Sequence, residues 1–168
     1  MENIRLEIPS IKYEKSFLEY INDYKALDDT EYMYFYRDAY KDFKQYVSKL
    51  NNNAKGVDLP EGYVPCSSFW LLNDKEQVLG SIRIRHGNVP FDGHIGYDIA
   101  PKYRGNGYGN KILELALPHA KEIGLDKVVL NCAKSNISSE KVILNNNGVF
   151  FKSHEKDGNL YNQFEIKL

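Results

Sequence analysis

The sequence predicts an α/β (α+β) protein: a mixed, mostly antiparallel sheet with helices on both faces. Three observations carry this. Tyr13, Phe17, Ile21 and Tyr24 recur four, four and three residues apart, the spacing of one helical stripe. Residues 78–85 alternate, with Ile82 and Ile84 opposite Arg83 and Arg85, as a strand with one buried face does. Beyond residue 100 the pattern changes to glycine loop, helix, buried strand, short helix and hairpin.

Taken in order, Ser10 stands ahead of the first stripe as its cap. A second helix is expected over 38–50, with Phe43, Val47 and Leu50 inward. Between the two, Glu31-Tyr32-Met33-Tyr34-Phe35-Tyr36 fits either a loop or a turn of helix. Gly56, Pro60, Gly62 and Pro65 make 54–66 a loop. Residues 68–72 form an apolar strand closed by Asn73-Asp74, and 78–85 returns as its hairpin partner. A turn over 87–92 leads to a strand over 94–99, ended by Pro101. Ile112, Leu113, Leu115, Ala116 and Ala120 mark a helix running to Gly124, which Pro118 is expected to bend or break. Residues 127–132 read as a buried strand. Residues 138–146 read as a short helix closed by Asn147-Gly148. The last hairpin, 149–156 with 160–167, turns at Asp157-Gly158.

The chain has 168 residues, 42% hydrophobic and 27% charged, which fits one domain over 1–168 with a packed core. With 22 basic and 23 acidic side chains the net charge is -1, which argues against a nucleic-acid partner but not against a local anion site. Cys66 and Cys132 form no Cys-x-x-Cys pair, so no zinc knuckle or redox motif is expected and no metal is invoked. They read as free thiols in a reducing compartment, with one disulfide between them as the alternative. No signal-peptide run opens the sequence, and no stretch approaches the ~18 consecutive apolar residues of a membrane span. A cytoplasmic protein without a membrane partner is the expectation; monomer and homodimer stay open. The 13 Tyr and 8 Phe are unusually many.

The segment Tyr103-Arg104-Gly105-Asn106-Gly107-Tyr108-Gly109-Asn110 joins a strand to a helix. Glycines let main chain approach a ligand closely, and the helix start adds unpaired N–H groups and a positive dipole end. Together they suit a phosphate or pyrophosphate. A Walker A loop would need a lysine where Asn110 stands, and a dinucleotide fingerprint would need its third glycine one residue later. A turn that only packs helix on strand is the plain alternative.

The surrounding run, His94-Ile95-Gly96-Tyr97-Asp98-Ile99-Ala100-Pro101-Lys102-Tyr103-Arg104-Gly105-Asn106-Gly107-Tyr108-Gly109, resembles the acetyl-CoA signature of the GCN5-related N-acetyltransferase (GNAT) superfamily. The family's Arg/Gln-x-x-Gly-x-Gly/Ala core matches at Arg104, Gly107 and Gly109. A second family block is approximated by Asn136-Ile137-Ser138-Ser139 and Asn147-Gly148-Val149. The resemblance is strongest over 94–149 and lies nearest the branch of ribosomal-protein and antibiotic N-acetyltransferases.

The resemblance implies a sheet of about seven strands with a splayed parallel pair in the middle, and acetyl-CoA as acyl donor. It implies that Tyr97, Asp98 and Ile99 on one splayed strand, with Cys132 on the other, flank the pantetheine arm. Arg104, Gly105, Asn106, Gly107, Tyr108, Gly109 and Asn110 would hold the pyrophosphate, Asn136 would meet the pantetheine chain, and Ser139 is a further cofactor-binding position. Asn136 fits a helix N-cap equally well. Where related branches carry Glu before Ile-Gly-Tyr, this sequence has His94, either a general base or a packed strand histidine. His86 is a second base candidate; His119 and His154 read as surface residues. The family's acid tyrosine falls on Ile143, leaving Tyr161 as a substitute or as an ordinary strand aromatic. Lys102, Lys111, Lys134 and Lys141 are candidates for the 3′-phosphate of CoA. Tyr32, Tyr34, Phe35, Tyr36 and Tyr63 are candidates for the acceptor pocket.

The leading expectation is acetyl transfer to a primary amine of a small molecule, by direct attack in a ternary complex. The alternatives are a non-catalytic acyl-CoA-binding sensor, a peptide or protein N-terminal acetyltransferase, and a Rossmann-like nucleotide binder.

Overall fold

Asp29, Asp42 and Asn136 each accept a hydrogen bond from the backbone N–H three residues on, and each starts a helix. The computed structural model describes residues 3–168. It opens with strand β1 (Arg5–Glu7) and a 3-10 turn (Ile11–Tyr13), whose cap is Ser10. Four helices follow: α1 (Glu14–Lys25), α2 (Thr30–Phe35), α3 (Arg37–Lys41) and α4 (Phe43–Ala54). Next come β2 (Cys66–Leu72), β3 (Val78–Val89), β4 (Gly93–Ile99), a 3-10 turn (Pro101–Tyr103), α5 (Tyr108–Glu122), β5 (Lys127–Ala133) and α6 (Ile137–Asn145). Strands β6 (Val149–Lys156) and β7 (Asn159–Lys167) end the chain.

The strands form two antiparallel sheets, ordered β1-β2-β3-β4 and β5-β7-β6. Two cores lie on opposite faces. Beneath α5, Leu71, Leu79, Ile82 and Ile84 meet Ile112, Leu113, Ala116 and Phe164. Beneath α1–α4, Trp70 and Leu72 meet Phe17, Ile21, Phe43 and Val47, with Phe17 stacked on Trp70 at 4.3 Å. Burying each such side chain stabilises by roughly 1.5–3 kcal/mol.

β4 and β5 lie side by side, yet no ladder joins them. They meet at one end. Gly93 has φ +68°, and a Cβ there would come 2.4 Å from the Val129 carbonyl oxygen. The Val129 N–H donates to His94 Nδ1 at 2.9 Å.

Two expectations change, one is resolved and one strand is added. The helix expected over 38–50 is two, because Asp42 at φ -154° caps α4 by accepting from Gln45 N–H. Glu31 to Phe35 are helical, set by Asp29. Pro118 does not end α5, which runs to Glu122; the carbonyl deprived of a donor belongs to exposed Glu114. β1 was invisible as a three-residue strand that pairs with β2 across more than sixty residues.

Gly93→Ala should test the β4–β5 joint. The added methyl must displace Val129 main chain and holds an alanine at positive φ, so a loss of about 1–3 kcal/mol is expected in denaturant unfolding. An unchanged midpoint would show that the strands do not meet there.

Candidate functional site

Side chains alternate across β4. Ile95, Tyr97 and Ile99 face α5, whereas His94, Gly96 and Asp98 face the layer of α1–α4. Main-chain groups alternate too. Ala100 N–H donates to Leu79 O at 3.0 Å in the register that pairs Ser81 with Asp98 and Ile82 with Tyr97. The amides and carbonyls of Tyr97 and Ile99 therefore turn from β3 toward the gap beside β5, and those of Asp98 turn into the β3 ladder.

Asp98 thus departs from its expected place. Its side chain is 2% exposed and takes hydrogen bonds from the hydroxyls of Tyr20, Tyr24 (2.7 Å) and Tyr36 (2.8 Å), with Arg83 Nη1 at 3.2 Å. The phenols of Tyr20, Tyr24 and Tyr36 are pushed well above their ordinary range, first by burial and then by the Asp98 charge. Burial pushes Tyr32, stacked on Tyr24 at 4.6 Å, up to about 12.

On the other face, Tyr97, Cys132 and Ser139 converge. Tyr97 Oη and Ser139 Oγ are 3.2 Å apart across the mouth of the gap. Burial pushes the Cys132 thiol up to about 11, so it is a neutral SH near pH 7. Asn136 caps α6 with Oδ1 on Ser139 N–H at 3.1 Å, and Ser138 takes no part. Ala133 sits opposite Tyr161 in the β5–β7 register.

The glycine loop leads into α5, a 15-residue helix with neither a side-chain cap nor an acidic residue in its first turn. Gly105 and Gly107 have φ +79° and +81°, and a Cβ at either would meet no atom within 4 Å. Gly107 is the N-cap in a left-handed conformation that strains any L side chain. Asn106 braces the loop by donating to the carbonyls of Tyr103 and Arg104, both at 3.1 Å, and leaves the helix-start amides uncapped by its own side chain. Arg104 Nε donates to Ile99 O at 3.0 Å. Gly109 packs on Val142, and Asn110 Oδ1 accepts from Asn145, so the loop is held against α6.

His94, read as either a base or a packed histidine, makes its contact through Nδ1. Its Nδ1 lone pair is occupied by Val129 N–H, so that nitrogen cannot also take a proton from a substrate. Burial, then the nearby Arg85 and Lys127 charges, hold its pKa below the ordinary imidazole value. His86 Nε2 lies 2.8 Å from Ser67 Oγ. By strand alternation this pair faces α5. Tyr161 stacks on His154 at 5.7 Å. His119 and His154 are less superficial than expected: His119 stacks on Phe69 at 4.5 Å, and both His154 ring nitrogens are buried. Ile143 is core, so no hydroxyl stands at the family's tyrosine position. Lys111 pairs with Glu114, and Lys102 lies over Tyr103; Lys134 and Lys141 are exposed.

A cavity of about 580 Å³ opens on the helix side of the sheet. Of the five aromatics named as acceptor-pocket candidates, Phe35, Tyr36 and Tyr63 line this cavity, while Tyr32 packs inside and Tyr34 points to solvent under Arg37. Arg83 and Arg85 on its floor went unrecognised; the signal was their shared face of β3, which reads as a solvated one. A larger hollow of about 670 Å³ beside α3 and α4 is lined by no strand residue, whereas the smaller one takes in residues of β2 and β3. Among the described residues no group of three or more His, Cys, Asp or Glu is placed to hold a metal, and no helix is long and apolar enough to cross a membrane.

Residues 18–148 match the family model of the acetyltransferase (GNAT) domain. No curated protein matches by sequence. Among solved structures, the chain is similar to a ribosomal L7/L12 alpha-N-protein acetyltransferase in complex with coenzyme A (TM-score 0.70, 14% identity, covering 99% of this chain and 94% of that one). It is similar to the acetyltransferase (GNAT family) from Bacillus anthracis (0.68, 16%, 98% and 94%). The microcin C7 self immunity acetyltransferase in complex with acetyl-CoA and AMP is also similar (0.67, 14%, 98% and 92%). A shorter match, to a Bordetella pertussis protein of the same family, takes in 60% of this chain and 64% of that one (0.52, 18%). At these identities the likeness is one of fold.

The buried phenols make an alkaline prediction. Unfolded tyrosines release their protons near pH ~10. Tyr20, Tyr24 and Tyr36 keep theirs in the native state, so the native chain binds more protons above that pH. Their stabilisation is complete below pH ~10 and is lost as pH rises beyond it, by about 4 kcal/mol per pH unit for three groups. Urea titrations between pH 8 and 11 check this; stability flat across that range would contradict the network.

Proposed function

Because this chain belongs to the acetyltransferase (GNAT) family and is an acetyl-CoA-dependent acetyltransferase, we propose that it acetylates a primary amine of a small molecule, within one domain over 1–168. The observation that carries the small-acceptor reading is the cavity of about 580 Å³ on the helix side of the sheet, in the range of small-molecule sites.

In this reading the amides from Gly105 to Asn110 hold the coenzyme's diphosphate, with Arg104 beside them. The pantetheine arm enters the gap between β4 and β5 and pairs with Tyr97 and Ile99 main chain, opposite Cys132 and Ala133. Since Arg104 already occupies the Ile99 carbonyl, the Ile99 N–H and both Tyr97 groups are left for the arm. Asn136 reaches the arm through its amide nitrogen, as its oxygen holds the cap.

The amine, once neutral, attacks the thioester carbonyl carbon directly. A strand N–H stabilises the oxyanion, the C–S bond breaks, the attacking nitrogen releases one proton to solvent, and the leaving thiolate takes one up. Cys132 forms no acyl intermediate, being a neutral, buried thiol. Tyr161 is the hydroxyl candidate for protonating the thiolate, an assistance of small size because thiolates leave readily. His94 is a positioning residue that ties β4 to β5.

Free-thiol release from acetyl-CoA over an amine panel tests the function: acceptor-dependent turnover supports it, and coenzyme-induced stabilisation without turnover on any amine would leave a sensor. Gly107→Val should raise the Kd for CoA about tenfold or more while leaving the fold intact; unchanged affinity in calorimetry would count against the loop. His94→Ala should lower the melting temperature and leave the shape of the kcat/KM pH profile near neutrality unaltered. A flattened profile with retained stability would return His94 to the role of base.

A further inference from the structure

Ser81, Arg83 and Arg85 alternate onto the floor of the cavity, but its two guanidiniums are not equivalent. Arg83 is neutralised by the Asp98 carboxylate at 3.2 Å and lies 4.6 Å over the Phe35 ring. Arg85 is half-buried, and its one hydrogen bond goes to the Asp92 main-chain oxygen at 3.5 Å; among the described residues it has no carboxylate partner. Lys49, reaching the same cavity from α4, has none either. The two carboxylates that line the cavity are engaged elsewhere, Asp38 with Lys41 at 3.3 Å and Asp92 with Lys156 at 3.9 Å. A half-buried guanidinium without a counter-charge is a preformed seat for an anion, and its planar fork suits two oxygens at once. The same cavity is lined by flat apolar surfaces, Phe35 (50% exposed) and Tyr63 (70%).

Resting on the acetyl-transfer reading above, we infer that the acceptor amine carries an anionic group, a carboxylate or a phosphate monoester. Arg85 and Lys49 bind that group while a flat part of the acceptor lies along Phe35 and Tyr63.

The test uses the full chain loaded with CoA. Benzoate and phenyl phosphate serve as anionic probes, benzamide and benzyl alcohol as their neutral counterparts, followed by ligand-observed NMR titration. At least one anion should bind, each neutral counterpart more weakly. Arg85→Gln should weaken anion binding about tenfold or more and Lys49→Gln less, with the Kd for CoA unaltered in both. Binding of benzoate alone identifies a carboxylate site, and of phenyl phosphate alone a phosphate site. Equal binding of anions and neutral counterparts, no binding of any probe, or anion binding indifferent to Arg85→Gln, each with CoA still bound, would overturn the inference. Failure of the unmodified protein to bind CoA would instead overturn the reading beneath it.

Discussion

The Asp98 carboxylate is nearly sealed from solvent, and the helix-side layer converges on it. Removing a carboxylate from water costs several kcal/mol, and only a dense set of donors offsets that. Here Tyr20 and Tyr24 come from α1, Tyr36 from the α2–α3 junction and Arg83 from β3. One ion therefore ties α1 and the α2–α3 junction to the sheet, beside the apolar packing of Trp70 and Leu72. That ion lies between Tyr97 and Ile99, whose main chain borders the gap. The strand that the acetyl donor would pair with is thus held rigidly from behind.

The gap itself depends on a contrast at its two ends. At Gly93 the strands come so close that no side chain fits, and the His94 ring replaces a ladder bond. Further along, Arg104 holds the Ile99 carbonyl, and Tyr97 reaches Ser139. The same arginine belongs to the glycine loop, so loop and strand are mechanically continuous. Preorganisation of this kind is what a reaction needs when the chain supplies orientation rather than a covalent intermediate.

Much of this was legible in sequence because it is local. The stripe Tyr13-Phe17-Ile21-Tyr24 announced α1, the spacing of Gly105, Gly107 and Gly109 announced the loop, and Asp157-Gly158 announced the last hairpin. What escaped depends on contacts between distant positions. Asp98 meets Tyr20 and Tyr24 across more than seventy residues, and nothing in Tyr97-Asp98-Ile99 signals a buried charge. His94 reads equally as a base or as a packed histidine until Val129 is beside it. Asp42 was legible in principle, since Asp-x-x-Gln is a capping pattern, but the longer apolar period over 38–50 obscured it. Arg83 and Arg85 carried the right alternation, and only the packing of α2–α4 turns that polar face into a cavity wall.

The tyrosine-ringed carboxylate also constrains how such a sequence can diverge. Losing one hydroxyl strands an ion in a dry place, and losing the ion alone strands three hydroxyls and a guanidinium. An all-apolar replacement of the whole group would be tolerable, but each intermediate step toward it is costly. Drift at positions 20, 24, 36, 83 and 98 is therefore coupled, and these five sites would be exchanged as a block or kept together.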